Sequence, residues 1–257
     1  MQKFPLKYED IDLYFDPVKH VYKVNGKNVR SVTGITSEGV PKKGLQDWLI
    51  STPMAEAESQ IKTLLDQQVK LDRVILARVF QTASEKTEKI KKDAGLVGTV
   101  VHGLVEDYLK GKEIPEQTDK KVIACWNNFL KWWDKQEYTP VEIEKKIYSK
   151  NFNYAGTLDL VVKDKEGKLV LIDIKTSNSV SFDYHLQLNA YKFAYEEETK
   201  SPISSALIVR LPKQGGKIEV VDGVISKSMF DAFLSAKYMA HALKEYTDLT
   251  LGESDGI

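Results

Sequence analysis

Cysteine is almost absent: Cys125 is the only one in 257 residues. That excludes a disulfide framework within the chain, and it excludes an iron–sulfur cluster or zinc site built on cysteine ligands. Arginine is scarce too, the four being Arg30, Arg73, Arg78 and Arg210. Bidentate guanidinium readout of bases is therefore poorly supplied, which speaks against sequence-specific recognition of nucleic acid. Net charge is missing altogether, since 37 lysines and arginines meet 37 aspartates and glutamates. No overall field draws the chain towards polyanions, so any nucleic-acid contact has to be a local groove. Apolar runs of membrane-spanning length do not occur, and Met1-Gln-Lys-Phe-Pro leads into charged residues rather than a signal peptide. A soluble, intracellular protein without a membrane partner is expected. Internal repeats and low-complexity segments are also lacking.

What is present is enough apolar material for a sizeable core, 42% hydrophobic with 10% aromatic. The length fits one large domain, or a core with an accessory region. The most informative stretch is Leu169-Val-Leu-Ile-Asp-Ile-Lys-Thr-Ser177. A short apolar run rich in β-branched residues, bounded by Glu166-Gly167 and Thr-Ser-Asn, predicts a strand buried on both faces. Alternation puts Asp173 and Lys175 on one face at its C-terminal end. Charges there are costly unless something uses them. The preceding strand, Thr157–Val162, carries a second lone carboxylate, Asp159, after Ala155-Gly156. Singly, these residues read as a strand-end ion pair and a hairpin aspartate. Together they make a hard-cation site suited to phosphodiester hydrolysis.

Before these strands, Ile11–Phe15, His20–Val24 and Asn28–Arg30 read as short strands, with Asn25-Gly26 as a hairpin turn. Ser31-Val-Thr-Gly-Ile-Thr36 is a small-residue loop whose hydroxyls and amides serve either a phosphate or a turn or helix cap. From Lys43 to Lys92 the pattern is helical with one or two breaks, and Ser51-Thr-Pro53 marks a helix start. Its lysine-rich end is either a solvated face or part of an insertion arching over a catalytic core. Asp93 to Lys110 is the clearest helix, with Leu96, Val97, Val100, Val101, Leu104, Val105, Tyr108 and Leu109 as its apolar stripe. Gly98, His102 and Glu106 lie on another face, spaced by one turn each. Thr118–Gln136 is a further helix whose aromatics keep core register, and Cys125 falls in the same stripe. Val141–Tyr148 opens the sheet, with Glu142 and Glu144 on one face. Phe182–Glu198 is helical, with Gln187 and Tyr191 one turn apart. Ser204–Arg210 and Lys217–Val221 are strands, and a helix from Lys227 to about Leu243 closes the core through Phe230, Phe233, Ala240 and Leu243. The tail Leu251–Ile257 is expected to fray.

Four of these segments resemble the RecB-like branch of the PD-(D/E)xK nuclease superfamily, over about residues 93–210. Gly98-Thr-Val-Val-His102-Gly-Leu-Val-Glu106 is similar to its helical histidine motif, and Tyr154-Ala-Gly-Thr-Leu-Asp159 to its glycine-then-aspartate strand. Asp173-Ile-Lys175-Thr-Ser matches the D-x-K signature, and Gln187-Leu-Asn-Ala-Tyr191 the Q-x-x-x-Y helix. The proline of the superfamily name is replaced by Ala155-Gly156. The opening hairpin with Ser31-Val-Thr also resembles phage nucleases and the mitochondrial genome maintenance exonucleases. The implied fold is α/β with a restriction-endonuclease-like core. A central mixed sheet would be flanked by helices at 93–257, with an N-terminal hairpin and helical accessory region at 1–92.

The resemblance also implies that His102, Asp159, Asp173 and the backbone carbonyl of Ile174 hold one or two Mg²⁺ or Mn²⁺ ions. Asp159, Asp173 and Lys175 would be catalytic. Lys175 would stabilise charge electrostatically, since a lysine beside two carboxylates stays protonated. Gln187, Tyr191, Thr176 and Ser31 are candidate substrate contacts, and Glu106 and Glu144 candidate supports, Glu144 through the metal's water. The expected activity is a DNA exonuclease of the cytoplasm of a bacterial or phage-infected cell. It would act on single strands or free ends, with no iron–sulfur cluster. An endonuclease and an inactive DNA-binding subunit are the alternatives.

Overall fold

A computed structural model describes residues 1–251. The first strands, β1 (Gln2–Phe4), β2 (Leu13–Asp16), β3 (Val21–Val24) and β4 (Lys27–Val29), form an antiparallel sheet in chain order. The Asn25-Gly26 turn closes β3 onto β4 with both residues at positive φ, 47° and 81°, as a tight hairpin requires. Period-two alternation buries Leu13, Phe15, Tyr22 and Val24, which pack against Tyr148 and Ala155 of the larger sheet. β1 was not legible as a strand; it is three residues long and pairs only with β2.

The larger sheet runs β5 (Thr139–Ser149), β6 (Tyr154–Lys163), β7 (Leu169–Lys175), β8 (Ile203–Arg210) and β9 (Glu219–Asp222), in that spatial order. All neighbours are antiparallel except β7 and β8, which run parallel, so the sheet is mixed. The parallel step needs a crossover, and α5 (Phe182–Thr199) provides it. β7 lies centrally and is buried along Val170–Ile174, as its continuous apolar run predicts. α1 (Val32–Gly39), α5 and α6 (Lys227–Leu251) share a core with the sheet through Val32, Ile35, Leu186, Ala190, Phe230 and Phe233. α1 and α6 touch at backbone range: a Cβ on Gly39 would stand 2.2 Å from the Ala236 carbonyl oxygen.

Several expected boundaries need correction. Ser31–Thr36, read as a small-residue loop, opens helix α1; Ser31 serves as the helix cap that was the alternative reading, accepting from the Gly34 amide at 3.0 Å. Pro53 lies inside α2 (Lys43–Asp66) rather than at a helix start. α3 runs unbroken from Arg73 to Leu109, so Asp93 is no helix start; charged helix formers precede it without a proline, and the helix continues through Gly95, Gly98 and Gly103. Of its expected stripe, Val97, Val101, Leu104 and Val105 are buried, whereas Leu96 and Val100 are exposed. Leu243 is likewise exposed, on an α6 that continues to Leu251. α4 (Lys120–Trp133) buries Val122, Cys125, Phe129 and Trp132, leaving Trp126, Leu130 and Trp133 half-buried beside that stripe, and the Cys125 thiol donates to the Leu211 carbonyl at 3.3 Å. All but the first residue of the tail Leu251–Ile257 lies outside the described residues.

Contacts divide the chain into two compact units: Met1–Val40 with everything from Val101 onwards, and Pro41–Val100. Within the second, α2 and the first part of α3 join through Ala57, Val79 and Ala83, with a Lys86–Glu56 ion pair at 2.7 Å. No helix among the described residues is long and apolar enough to cross a membrane.

Candidate metal centre and active site

The site begins where β6 and β7 part. Their ladder runs from Lys163↔Leu169 to Leu160↔Ile172 and goes no further. The next β7 amide, that of Ile174, donates instead to Asp159 Oδ2 at 2.6 Å. A carboxylate thus replaces a ladder carbonyl, which satisfies a buried N–H and fixes Asp159 at the splayed strand end. Its other oxygen, Oδ1, lies 3.4 Å from His102 Nδ1, and Glu144 Oε1 lies 3.6 Å from the same nitrogen. His102, on α3, keeps 28% of its side chain exposed. Donor atoms of His102, Glu144 and Asp159 fall within 4.8 Å of one another, which brings one divalent ion within reach of all three.

On the β7 side, Asp173 and Lys175 share a face as alternation predicts, with Lys175 Nζ 2.9 Å from Asp173 Oδ1 and 2.8 Å from Oδ2. Asp173 Oδ2 is buried and accepts no well-aligned hydrogen bond. Lys175 also donates to Gln187 Oε1 at 3.1 Å, and the Tyr184 ring centroid stands 4.9 Å from its ammonium. Gln187 is held in turn, its amide donating to Thr36 Oγ1 at 3.1 Å, and Thr36 donates to the Thr33 carbonyl at 3.2 Å. Tyr191, one turn along α5, is buried against Gly156: a Cβ there would meet Tyr191 Cε1 at 2.9 Å and Val32 Cγ2 at 3.1 Å. This is the reason glycine precedes the Thr157–Asp159 segment.

The electrostatics follow from this packing. Burial would push the His102 imidazole down, but Asp159 and then Glu144 outweigh it and hold it up at about 10. Burial pulls Asp159 up, yet the His102 and Lys175 charges and the Ile174 amide leave it below the ordinary range. Asp173 is pushed up to about 6, chiefly by burial and also by Asp159, in spite of Lys175. Burial raises Glu144 as well. Lys175 is raised despite burial because Asp173 and Asp159 face it. With His102 neutral, Glu144, Asp159 and Asp173 carry three negative charges against the ammoniums of Lys175 and Lys146, which leaves one. A divalent cation offsets it, and without the cation the raised His102, and below about pH 6 Asp173, hold protons in its place. The donor set, oxygen-rich with one imidazole, fits Mg²⁺ or Mn²⁺ chemistry.

The remaining sequence candidates sit as follows. Thr176 is buried directly after β7. Ser31 caps α1 and bridges to Ala155. Glu106 pairs with Lys110 at 2.6 Å. Glu142 and Glu144, expected on one face of the strand, take different partners. A register shift between Pro140 and Glu142 and a left-handed Glu144, φ 51°, send Glu142 to Lys145 at 3.6 Å while Glu144 turns to His102. Tyr184 and Lys146 were missed, and so was the tie between Thr36 and Gln187. Tyr184 was findable, three residues before Gln187 and hence on its face of α5. The Thr36 tie was not, its two residues standing 151 apart in the chain.

A mixed sheet with crossover helix and carboxylates at its splayed strand ends is a restriction-endonuclease-like fold. The model of the PD-(D/E)XK nuclease superfamily matches residues 73–249. The chain belongs to that superfamily, and is thereby a metal-dependent nuclease acting on nucleic acid. A search of curated proteins returns no match. Among solved structures, that of SSO0001 is 16% identical, with 76% of this chain and 73% of the other covered, at a TM-score of 0.32.

Proposed function

We propose that the protein is a DNA exonuclease of the RecB-like kind, acting on single strands or free ends with little sequence preference. The observation that carries it is Lys175, pinned by Asp173, Gln187 and the Tyr184 ring beside the Asp159–His102 pair. His102, Asp159, Asp173 and the Ile174 carbonyl hold one or two Mg²⁺ or Mn²⁺ ions in this scheme. A bound ion supplies an acidified water and positive charge beside the scissile phosphate. Lys175 stays protonated between two carboxylates and donates to the phosphate oxygens as charge builds on them. Gln187 orients Lys175, while Tyr191 and Thr176 shape the wall against which the nucleotide sits. Four arginines leave base reading poorly supplied, which supports low sequence preference. The exonuclease mode draws on the resemblance and on the helical segment ahead of the core.

A digestion panel tests it. Linear and closed circular single strands, and 5′- and 3′-blocked single and double strands, are incubated with the protein in Mg²⁺ and in Mn²⁺. Loss of linear strands with circles intact is expected. Degraded circles make the enzyme an endonuclease, and no cleavage of any substrate makes it a binding subunit.

A further inference from the structure

We propose that Glu144 is a direct ligand of the divalent ion, held in place by the N-terminal sheet through Lys146. The existence of the ion rests on the nuclease reading; the role of Glu144 does not follow from it. Glu144 stands inside an eleven-residue strand with φ at 51°, a left-handed conformation in a residue other than glycine. Sterics disfavour that conformation for any residue with a Cβ, and such residues persist where the surroundings enforce them. The pairs Ile143↔Leu160 and Lys145↔Leu158 flank it, so pairing resumes at once on both sides and the excursion is confined to one residue. Its result is a carboxylate turned to His102, 3.6 Å from Nδ1, within ligand range of Asp159.

Lys146 supplies the enforcement. Its ammonium donates to the Glu144 carbonyl at 3.1 Å and stands 3.8 Å from Oε2, gripping backbone and side chain together. The rings of Phe4 on β1 and Phe15 on β2 confine that ammonium, with centroids at 5.4 and 5.5 Å. Cation–π contact of this kind is strongest where water is excluded, and only 13% of the Lys146 side chain is exposed. A short sheet, legible in the sequence only as a hairpin, thereby becomes part of the frame of the metal centre.

Calorimetric titration of the full chain with Mn²⁺ tests this without reference to cleavage. Glu144→Gln keeps the shape and removes the charge, and tenfold or greater weakening is expected. Lys146→Met should weaken Mn²⁺ by several-fold. Glu144→Gly relieves the left-handed backbone, so in chelator it should melt no lower than Glu144→Gln while binding Mn²⁺ as poorly. Asp159→Asn separates the two levels. If it abolishes binding while Glu144→Gln stays within twofold of the native protein, Glu144 is no ligand and the nuclease site stands. If neither changes the titration, the metal centre itself is misplaced, and the role of Glu144 falls with it.

Discussion

Lys175 has a carboxylate, an amide oxygen and an aromatic ring around one ammonium, and each neighbour restricts it differently. Lys175→Ala should lower cleavage about 10²- to 10³-fold, the usual loss for a donor aimed at developing charge. Binding to a labelled single strand, read by anisotropy, should change little; an equal loss of both would make Lys175 a binding residue. The same variant has a pH signature. Asp173, raised to about 6, contributes stability that is full below its unfolded value and is lost as pH rises through its folded value. Without Lys175 that loss should extend to higher pH, seen as a urea midpoint in chelator that falls more steeply beyond pH 6 than the native one. His102 behaves likewise: its contribution is present below its unfolded value and disappears as pH rises through about 10. Metal binding must displace that proton, so Mn²⁺ titration at pH 8 in buffers of differing ionisation enthalpy should show release of about one proton. Thr36→Val tests the support behind Lys175. It leaves the Gln187 amide without its buried partner, at a cost of about 1–3 kcal/mol in urea unfolding, with a fall in kcat larger than any change in KM.

Among the elements, β7 and α5 were legible because each announces itself locally. A continuous apolar run rich in β-branched residues and ending in Asp-x-Lys has few other readings, and Gln187 and Tyr191 keep helical spacing. α1 was not legible, because Val, Thr, Gly and Ser are poor helix formers; its helix is made by packing against α5 and α6. The turn at Glu144 was invisible for a different reason: no residue type in β5 signals φ > 0, and alternation alone paired it with Glu142. Gly156 is where sequence and packing meet most directly, since α5 approaches β6 too closely there for any side chain. Gly156→Ala should therefore force Tyr191 and α5 outward. Overpacking of this sort costs about 1–3 kcal/mol, and the displaced Gln187 should loosen Lys175. Urea unfolding with parallel kcat measurements checks both, and unchanged kcat would show that α5 is not what holds the lysine.

At the scale of the molecule, net neutrality has to be reconciled with a polyanionic substrate. Equal numbers of acids and bases supply no long-range attraction, and in the centre without its ion a protonated His102 and the ammoniums of Lys175 and Lys146 do no more than offset the carboxylates of Glu144, Asp159 and Asp173. The ion adds positive charge there, so substrate affinity and fold stability should both depend on it. A ligand bound only by the folded state adds about 2.7 kcal/mol at a hundredfold excess over Kd. For a chain of this length each kcal/mol is about 2–4 °C in Tm, so saturating Mn²⁺ should raise the melting temperature by about 5–10 °C over chelator. The site residues all belong to the unit formed by Met1–Val40 and the chain from Val101. If calorimetry resolves two transitions, only the one belonging to that unit should move. Asp159→Asn should abolish the shift, and the same variant should remove the Mn²⁺ dependence of single-strand binding. A melting point indifferent to Mn²⁺ in the native protein would mean that protons on His102 and Asp173 already balance the centre, and that no ion is bound there.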